Sequence, residues 1–305
     1  MNYHIPIAVV FVFAYITGSP AQARSPDAGW LSTPDSPGDL ASNRPLVFLA
    51  GQLIQAGLVD VADCSDQGLQ SNGAATPCGL EKARSLVYTW QNRFDPLIFS
   101  VSRRTGVPAY LLKGLFAQET QFWPAMTRNA AWSFGEYGLG QLTDHGADTL
   151  LLWNGAVYDQ LCPSVFRPEY CWPGYANLPE SMRAVLRGAV LGFVAADCPT
   201  CELGLDMPKV DESIVVFAEA VLANHRQAGR VIRNLTGLEP AVAVGYEDLW
   251  RYTLVNYHAG AGCLYAALSV TQQAGENLTW ERVSPYFETG CGDVVSYVEN
   301  VSRWP

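Results

Sequence analysis

Residues 106–120 read GVPAYLLKGLFAQET, and this stretch predicts a helix with a carboxylate near its end. Pro108 can begin the helix because a proline at the first helical position loses no hydrogen bond. The apolar Leu115 and Phe116 precede Glu119 by one helical turn. Because residues three and four apart share a helix face, we expect Glu119 on the stripe that faces the core.

Burial on that stripe would give Glu119 the pKa of a general acid. Desolvation against Phe116, Phe122 and Trp123 disfavours the charged carboxylate, and the negative end of the helix macrodipole acts in the same direction. A carboxylic acid that stays neutral near pH 7 can donate a proton in catalysis. The alternative is a solvated glutamate at a frayed helix end.

Two further segments combine polar, aromatic and glycine residues. Residues 135–141 read GEYGLGQ, a glycine-dense turn that allows a ligand close to the backbone and presents one amide side chain. Its glycine spacing differs from the dinucleotide fingerprint, and no Gly-Lys-Ser/Thr is present, so a phosphate loop is disfavoured. Residues 256–262 read NYHAGAG at the junction of two predicted helices, where the alternative is a helix–helix turn with a packed Tyr257.

The three segments, in this order, resemble the catalytic domain of the soluble lytic transglycosylases, which are relatives of goose-type lysozyme. In that family a Gly-Val-Pro-type turn leads to a helix that ends in Glu-Ser, and here Gly106-Val107-Pro108 leads to Glu119-Thr120. The family's Gly-Leu-Met-Gln segment is matched by Gly138-Leu139-Gly140-Gln141. Its Ala-Tyr-Asn-Ala-Gly segment is matched by Asn256-Tyr257-His258-Ala259-Gly260. The resemblance covers residues 85–275, the size of a domain.

The resemblance implies a lysozyme-like helical domain in which one glutamate acts twice, whereas glycosidases normally use two carboxylates. Glu119 would protonate the oxygen between N-acetylmuramic acid and N-acetylglucosamine, helped by the 2-acetamido group. It would then deprotonate the muramyl 6-hydroxyl to close a 1,6-anhydro ring. The residues that the resemblance places on substrate or beside Glu119 are Thr120, Phe122, Gly138, Gln141, Tyr257 and His258.

Three positions depart from the family pattern. Thr120 replaces Ser and keeps a hydroxyl, Gly140 replaces Met and removes a side chain from the cleft, and His258 replaces Asn and adds a titratable group. The distance between the second and third segments is also longer than in the family. The surplus is a cysteine-containing insertion near residues 154–205, which we expect to shape substrate access.

Two alternative functions would also act on a glycan ligand. Glu136, beside the glycine turn, would supply the second carboxylate of a lysozyme-type muramidase that hydrolyses the bond. A glycan-binding module without turnover would need stacking aromatic rings but no buried acid. Aromatic residues close to the segments are Trp123, Trp132, Phe134 and Tyr137.

A metal-dependent peptidase and a nucleic-acid-binding protein are both disfavoured. His145, His225 and His258 stand outside any His-Glu-x-x-His arrangement, so we expect no metal and no cofactor. Among the 305 residues, 19 Lys and Arg against 29 Asp and Glu give a net charge of -10 with no basic cluster. The expected partner is therefore the glycan strand of peptidoglycan, bound by a monomer.

The first residues predict export. An apolar run from Ile5 to Ile16 precedes a Gly-Ser-Pro break and Ala21-Gln22-Ala23, a pattern that signal peptidase accepts, so residues 1–23 are predicted to be a signal peptide. The run is shorter than the roughly 20 residues that span a bilayer. We expect a periplasmic or extracellular, cell-wall-associated protein without an integral membrane segment in the mature chain.

Eight cysteines fit an oxidising compartment, in which they would pair locally. The alternative for the two cysteines of Cys198-Pro199-Thr200-Cys201 is a redox or zinc site, because two thiolates at this spacing can exchange with a disulfide or share a metal. The expected pairs are Cys64 with Cys78, Cys162 with Cys171, Cys198 with Cys201, and Cys263 with Cys291.

Helical periodicity predominates, so the fold class is predicted as mainly α with disulfide-held loops between residues 154 and 180. Residues 24–45 are rich in Ser, Pro, Asp and Gly and predict a flexible leader. A helical extension is expected over 46–84 and the lysozyme-like domain over 85–305.

Several helix ends are predicted as well. Asp95-Pro96 is expected to begin a helix, Asp211 to cap one, and Gly237 to end one. Leu249 to Val255 and Leu264 to Val270 predict two further helices. The segment after Cys263 is expected only to pack on the domain, through Trp280, Tyr286, Tyr297 and Val298.

Overall fold

The computed structural model describes residues 29–124, 135–287 and 290–304. Over these ranges the chain is mainly helical, as predicted, and contains isolated β-bridges but no strand. Short 3-10 helices cover Gly29–Leu31, Pro37–Leu40, Tyr175–Asn177 and Ser284–Tyr286. Helices α1 to α13 span, in chain order, Val47–Gln55, Pro77–Asn92, Asp95–Thr105, Ala109–Thr120, Asp144–Trp153, Gly155–Val165, Pro168–Cys171, Glu180–Val194, Met207–Thr236, Pro240–Ala243, Tyr246–Gln273, Trp280–Val283 and Val294–Ser302.

Helix α9 lies at the centre of the fold and packs against α3, α5, α8 and α11. Asp206 caps it by accepting a hydrogen bond from the Lys209 amide at 3.4 Å, so the cap lies earlier than the predicted Asp211. Gly237 ends it in the left-handed conformation, as predicted. Apolar residues at helical spacing are fully buried along its core face, among them Val210, Ile214, Phe217 and Val221.

Helix α4 carries the predicted acid and is buried along almost its whole length. Asp95-Pro96 begins α3, as predicted, and Gly106, at φ 79°, ends α3 so that α4 can begin after Pro108. Lys113 on α4 is fully buried, and its ammonium contacts the Asp95 carboxylate at 2.6 Å. Such a pair fixes α4 against α3, because separating the two charges would leave each one buried and unpaired, at a high cost in free energy.

The chain leaves α4 through two residues in the left-handed region, Gln121 at φ 48° and Phe122 at φ 65°. This conformation costs about 1–2 kcal/mol for each non-glycine residue. The Gln121 side chain offsets part of that cost: its Oε1 accepts hydrogen bonds from the Phe48 and Leu49 amides at 2.9 and 3.3 Å. These amides belong to the first turn of α1, which has no side-chain cap of its own.

Helix α11 contains both of the helices predicted after Tyr246 and bends between them. Gly260 has φ 83° and ψ 166°, which are not helical angles. Glycine populates positive φ readily, so the bend lies at the junction between two helices that was predicted at the NYHAGAG segment.

Residues 29–45 pack on the body of the protein, so the flexible leader predicted over 24–45 is wrong for this part. Trp30 and Leu40 are buried. The Lys113 ammonium donates to the Leu40 carbonyl at 2.7 Å, and the Tyr110 hydroxyl donates to the Asp39 carbonyl at 2.7 Å. The predicted boundary between residues 84 and 85 also falls inside the unbroken helix α2.

All four predicted disulfides are present, and each joins cysteines that are near one another in sequence. Cys198 and Cys201 are bonded to each other, so neither sulfur is a free thiolate that could bind zinc. The insertion consists largely of helices α6, α7 and α8, where the sequence predicted loops over residues 154–180. No helix in the described ranges has the length and apolar character to cross a membrane.

The C-terminal segment packs against the helices around α4. Helix α13 contacts both α4 and α11. Trp280, Tyr297 and Val298 are buried as predicted, whereas Tyr286 is exposed.

Candidate active site

Glu119 lies in the last turn of α4, where its side chain is half-buried. Burial raises the pKa of its carboxyl from an ordinary value of 4.5 to about 7. The charges of Glu136 and Asp293 contribute to this rise, and a hydrogen bond from Tyr297 opposes it. Glu119 therefore has the raised pKa that its place on the apolar stripe predicted.

Tyr297 is a member of the site that the sequence did not reveal. Its hydroxyl donates a hydrogen bond to Glu119 Oε1, and its ring is 3% exposed. Burial raises the pKa of this phenol well above its usual range, so Tyr297 is a hydrogen-bond donor at neutral pH. The sequence predicted only packing for Tyr297, because it lies on an amphipathic helix with no motif around it.

The His258 ring stacks on the Tyr297 ring. The two ring centroids are 4.0 Å apart with an angle of 12° between the planes. His258 Nε2 lies 3.1 Å from Asp293 Oδ1, and its hydrogen bond lowers the pKa of that carboxyl. Asp293, His258 and Tyr297 thus form a connected row of side chains that ends at Glu119.

The glycine turn forms a tight loop closed by backbone hydrogen bonds between Tyr137 and Leu142 at 3.0 and 2.9 Å. A Cβ on Gly140 would lie 2.6 Å from the ring of Phe217, and a Cβ on Gly138 would lie 2.8 Å from the Val194 carbonyl oxygen. Both positions therefore require glycine. The absence of a side chain at residue 140 is explained by Phe217, which occupies the space from α9.

Tyr257 joins this turn to α11. Its hydroxyl donates to the Gly140 carbonyl. Burial, together with the charge of Glu119, raises the pKa of this phenol well above its usual range. Two tyrosines, one from α11 and one from α13, are therefore held close to the same carboxyl group.

Thr120 and Gln141 stabilise the junction between α4 and the turn. Thr120 is fully buried and donates to the Leu139 carbonyl at 2.9 Å. Gln141, at φ 57°, donates through Nε2 to the Gly138 carbonyl at 3.0 Å, while its buried Oε1 has no hydrogen-bond partner among the residues that the structure describes. Both side chains bond to backbone of the turn, so their contacts in this structure position the loop.

Phe122, which the resemblance placed on substrate, and Trp123, a stacking candidate in the binding-module alternative, both lie in the core. Phe122 is fully buried, and the Trp90 indole donates to its carbonyl at 2.9 Å. Trp123 is buried as well, and its ring centroid lies 4.9 Å from that of Trp90. The left-handed turn at the end of α4 directs both rings inward. Of the other aromatic candidates, Tyr137 is half-buried, and Trp132 and Phe134 lie outside the described residues.

Glu136, the predicted second carboxylate, is exposed on the glycine turn. It lies close enough for its charge to raise the pKa of Glu119. The site thus combines one half-buried acid, two tyrosine hydroxyls and a peripheral exposed carboxylate.

An apolar cavity of about 160 Å³ lies away from this site, between α5, α6, α8 and α9. Leu150, Val190 and Val216 line it, and no predicted site residue does. Arg104, Glu212 and Glu219 also line it, but none of the three motif segments reaches it, so Glu119 and its neighbours stay the candidate active site.

No protein-family model, curated protein or solved structure matches the chain. Among the described residues, no cluster of His, Cys, Asp or Glu side chains is arranged to hold a metal ion.

Proposed function

We propose that the chain is an exported lytic transglycosylase that cleaves the bond between N-acetylmuramic acid and N-acetylglucosamine in peptidoglycan, with Glu119 as the single acid and base. The observation that carries the proposal is a half-buried carboxyl with a pKa of about 7, held by a tyrosine hydroxyl. The order of the three sequence segments supplies the substrate class.

A pKa near 7 suits a group that acts first as an acid and then as a base at one pH. Protonated Glu119 gives its proton to the bridging oxygen as the bond from that oxygen to the muramyl C1 breaks. The muramyl 6-hydroxyl oxygen then bonds to C1, and its proton returns to Glu119. Both the proton and the carboxyl are restored, and no water is consumed.

The two tyrosines have separate roles in this proposal. Tyr297 holds Glu119 Oε1 by a hydrogen bond and favours the carboxylate that forms after the first proton transfer. Tyr257, held against the Gly140 carbonyl, places a phenol next to Glu119 where the scissile sugar would bind. Neither phenol ionises near neutral pH, so both act as donors.

The disulfides support the exported part of the proposal. Four disulfides and no free cysteine occur in the described residues. Disulfides persist in oxidising compartments such as the periplasm or the extracellular space, where peptidoglycan is accessible.

A second candidate function is hydrolysis by a lysozyme-type muramidase, and the electrostatic effect of Glu136 on Glu119 favours it. In that reaction Glu136 would activate water on the opposite face of the sugar. The exposure of Glu136 argues for the first candidate, because the second needs a base held in place. A binding module without turnover would gain nothing from a half-buried acid.

Release of soluble fragments from dye-labelled peptidoglycan tests the proposal. Glu119→Gln keeps the shape of the side chain but removes the proton, and we expect the rate to fall by about a hundredfold or more. Glu136→Gln is the matched control and should retain a rate near that of the wild type. Equal loss in both variants would favour the hydrolase, and an inactive wild type would favour the binding module.

A further inference from the structure

A second cleft lies on the cysteine-containing insertion, at the end of α5 and along α6 and α7. Its volume is about 490 Å³, within the range of roughly 300–1,000 Å³ typical of small-molecule sites. None of the residues that line it belongs to the candidate active site. Its lining includes Leu152, Tyr158, Asp159, Trp172, Tyr175 and Asn177.

Trp172 is the prominent feature of this cleft, because its side chain is 83% exposed. Leu152, on the same cleft, is 47% exposed. Single exposed apolar residues are common, but an indole and a leucine on one cleft form a patch that a ligand can cover. Tryptophan also offers a large flat face at little cost in conformational entropy.

The walls of the cleft are fixed without a ligand. The Cys162–Cys171 disulfide joins α6 to α7, and the Tyr158 hydroxyl donates to the Cys171 carbonyl at 2.8 Å. Asn177 donates through Nδ2 to the Pro173 carbonyl at 2.8 Å, which closes the turn that directly follows Trp172. A site formed in advance loses little entropy when it binds.

The Tyr175 side of the cleft is fixed by a charged network. The Tyr175 hydroxyl donates to the Asp148 carboxylate, and Arg187 contacts both oxygens of that carboxylate at 3.1 Å. The Tyr175 ring also meets the Tyr158 ring edge to face, with 6.0 Å between the centroids. Tyr175 therefore supplies a fixed wall, and the polar groups for a ligand are Asp159 and Asn177.

We propose that this cleft is a subsite for a pyranose ring of a glycan chain, stacked on Trp172. The lining contains one carboxylate, Asp159, and no Lys or Arg, so an anionic ligand such as a phosphate is disfavoured. A pyranose presents an apolar C–H face to the indole, and its hydroxyl and amide groups can donate to Asp159 and to the Asn177 amide oxygen. That the glycan is peptidoglycan rests on the proposed function.

The position of the cleft suits a long chain. Helix α5 begins just after Gln141, and Leu152 lies near its other end. At 1.5 Å per residue, the helix separates the glycine turn from the cleft by about 12 Å. A polymer held at both places gains affinity from the second contact, whereas a short oligosaccharide reaches only one.

Binding measurements in a Glu119→Gln background test the subsite without turnover of the glycan. The probes are chitohexaose and purified peptidoglycan glycan strands stripped of stem peptides, with affinity measured by isothermal titration calorimetry. We expect Trp172→Ala to raise Kd about three- to tenfold, and Trp172→Phe to restore most of the affinity. Tyr265→Ala is the control, since Tyr265 is an exposed aromatic residue outside the cleft.

An unchanged Kd in Trp172→Ala, or no binding of either probe by the parent, would overturn the proposal. Strands that keep their stem peptides are measured as a third probe, and a loss of affinity in Trp172→Ala seen only with them would also overturn the proposal and assign the cleft to a peptide. Activity with Glu119 intact is measured in parallel. If the protein with Glu119 releases products but Trp172→Ala binds the probes as tightly as the parent, only the subsite is refuted. If Trp172→Ala weakens binding but the protein with Glu119 releases no products, only the catalytic proposal is refuted.

Discussion

The Tyr297 hydroxyl donates a hydrogen bond to Glu119 Oε1 across 178 positions of the sequence. The contact exists because α13 packs on α4, and the Cys263–Cys291 disulfide joins α11 to the segment just before α13. The C-terminal segment thus completes the site around Glu119.

Tyr297→Phe should raise the pKa of Glu119 above about 7, because the lost hydrogen bond favours the charged form. The pH–rate profile of peptidoglycan cleavage should then move to higher pH. We expect kcat at pH 7 to fall about tenfold, as for loss of one hydrogen bond to a charged group. Tyr265→Phe, on an exposed tyrosine, is the control. An unshifted profile in Tyr297→Phe would exclude this role.

Ionisation of Glu119 should destabilise the folded protein. Its carboxyl has a pKa of about 7 when folded and an ordinary value of 4.5 when unfolded, so the folded state binds more protons between these values. The contribution of Glu119 to the free energy of unfolding therefore falls as pH rises through this window. At pH 8, Glu119→Gln should be more stable than the wild type by about 1–3 kcal/mol, and this advantage should shrink towards pH 4.

Urea unfolding of both proteins at pH 4 and pH 8 measures this difference. An advantage of the same size at both pH values would show that the effect of the substitution is independent of ionisation.

Gly140→Ala should disturb the turn, because its Cβ would lie 2.6 Å from the Phe217 ring. We expect a loss of about 1–3 kcal/mol in the free energy of unfolding and lower activity, since the Gly140 carbonyl holds Tyr257. Adding Phe217→Leu should recover part of the loss. Gly155→Ala is the matched control, since a Cβ there meets no atom within 4 Å. Equal stability of the two alanine variants in thermal unfolding would contradict the predicted clash.

Replacement of Cys263 and Cys291 by Ser should lower both stability and activity. The bridge closes a loop with a sequence separation of 28, and its loss should cost about 2–4 kcal/mol. Activity should fall because α13 positions Tyr297. Replacement of Cys64 and Cys78, with a separation of 14, should cost similar stability but leave activity in the folded protein unchanged.

Assays well below each melting temperature separate the two effects. Equal activity in both double variants would show that the Cys263–Cys291 bridge has no special link to the site.

Features set by nearby residues were predictable from the sequence. Helical spacing placed Glu119 on the apolar stripe, and the structure raises its pKa accordingly. The cysteines pair with sequence neighbours, and Gly260 bends α11 at the expected junction. The bend and three of the four disulfides depend on contacts within a few turns of chain or within one loop.

Features set by tertiary packing were not predictable. Phe122 was expected to bind substrate because it follows Glu119, but two left-handed residues turn its ring into the core. Residues 29–45 have no helical or strand periodicity, yet Trp30 and Leu40 are buried against helices that are distant in sequence. Tyr297 reaches Glu119 only because α13 docks on α4, which no local pattern encodes.

The central claim is that Glu119 acts alone, as acid and then as base, on a peptidoglycan glycan strand. Mass spectrometry of purified peptidoglycan after incubation with the wild type and with Glu119→Gln tests it most directly. The account predicts muropeptides lighter by one water, with 1,6-anhydromuramyl ends, from the wild type only. Muropeptides with free reducing ends, or the same products from Glu119→Gln, would contradict it.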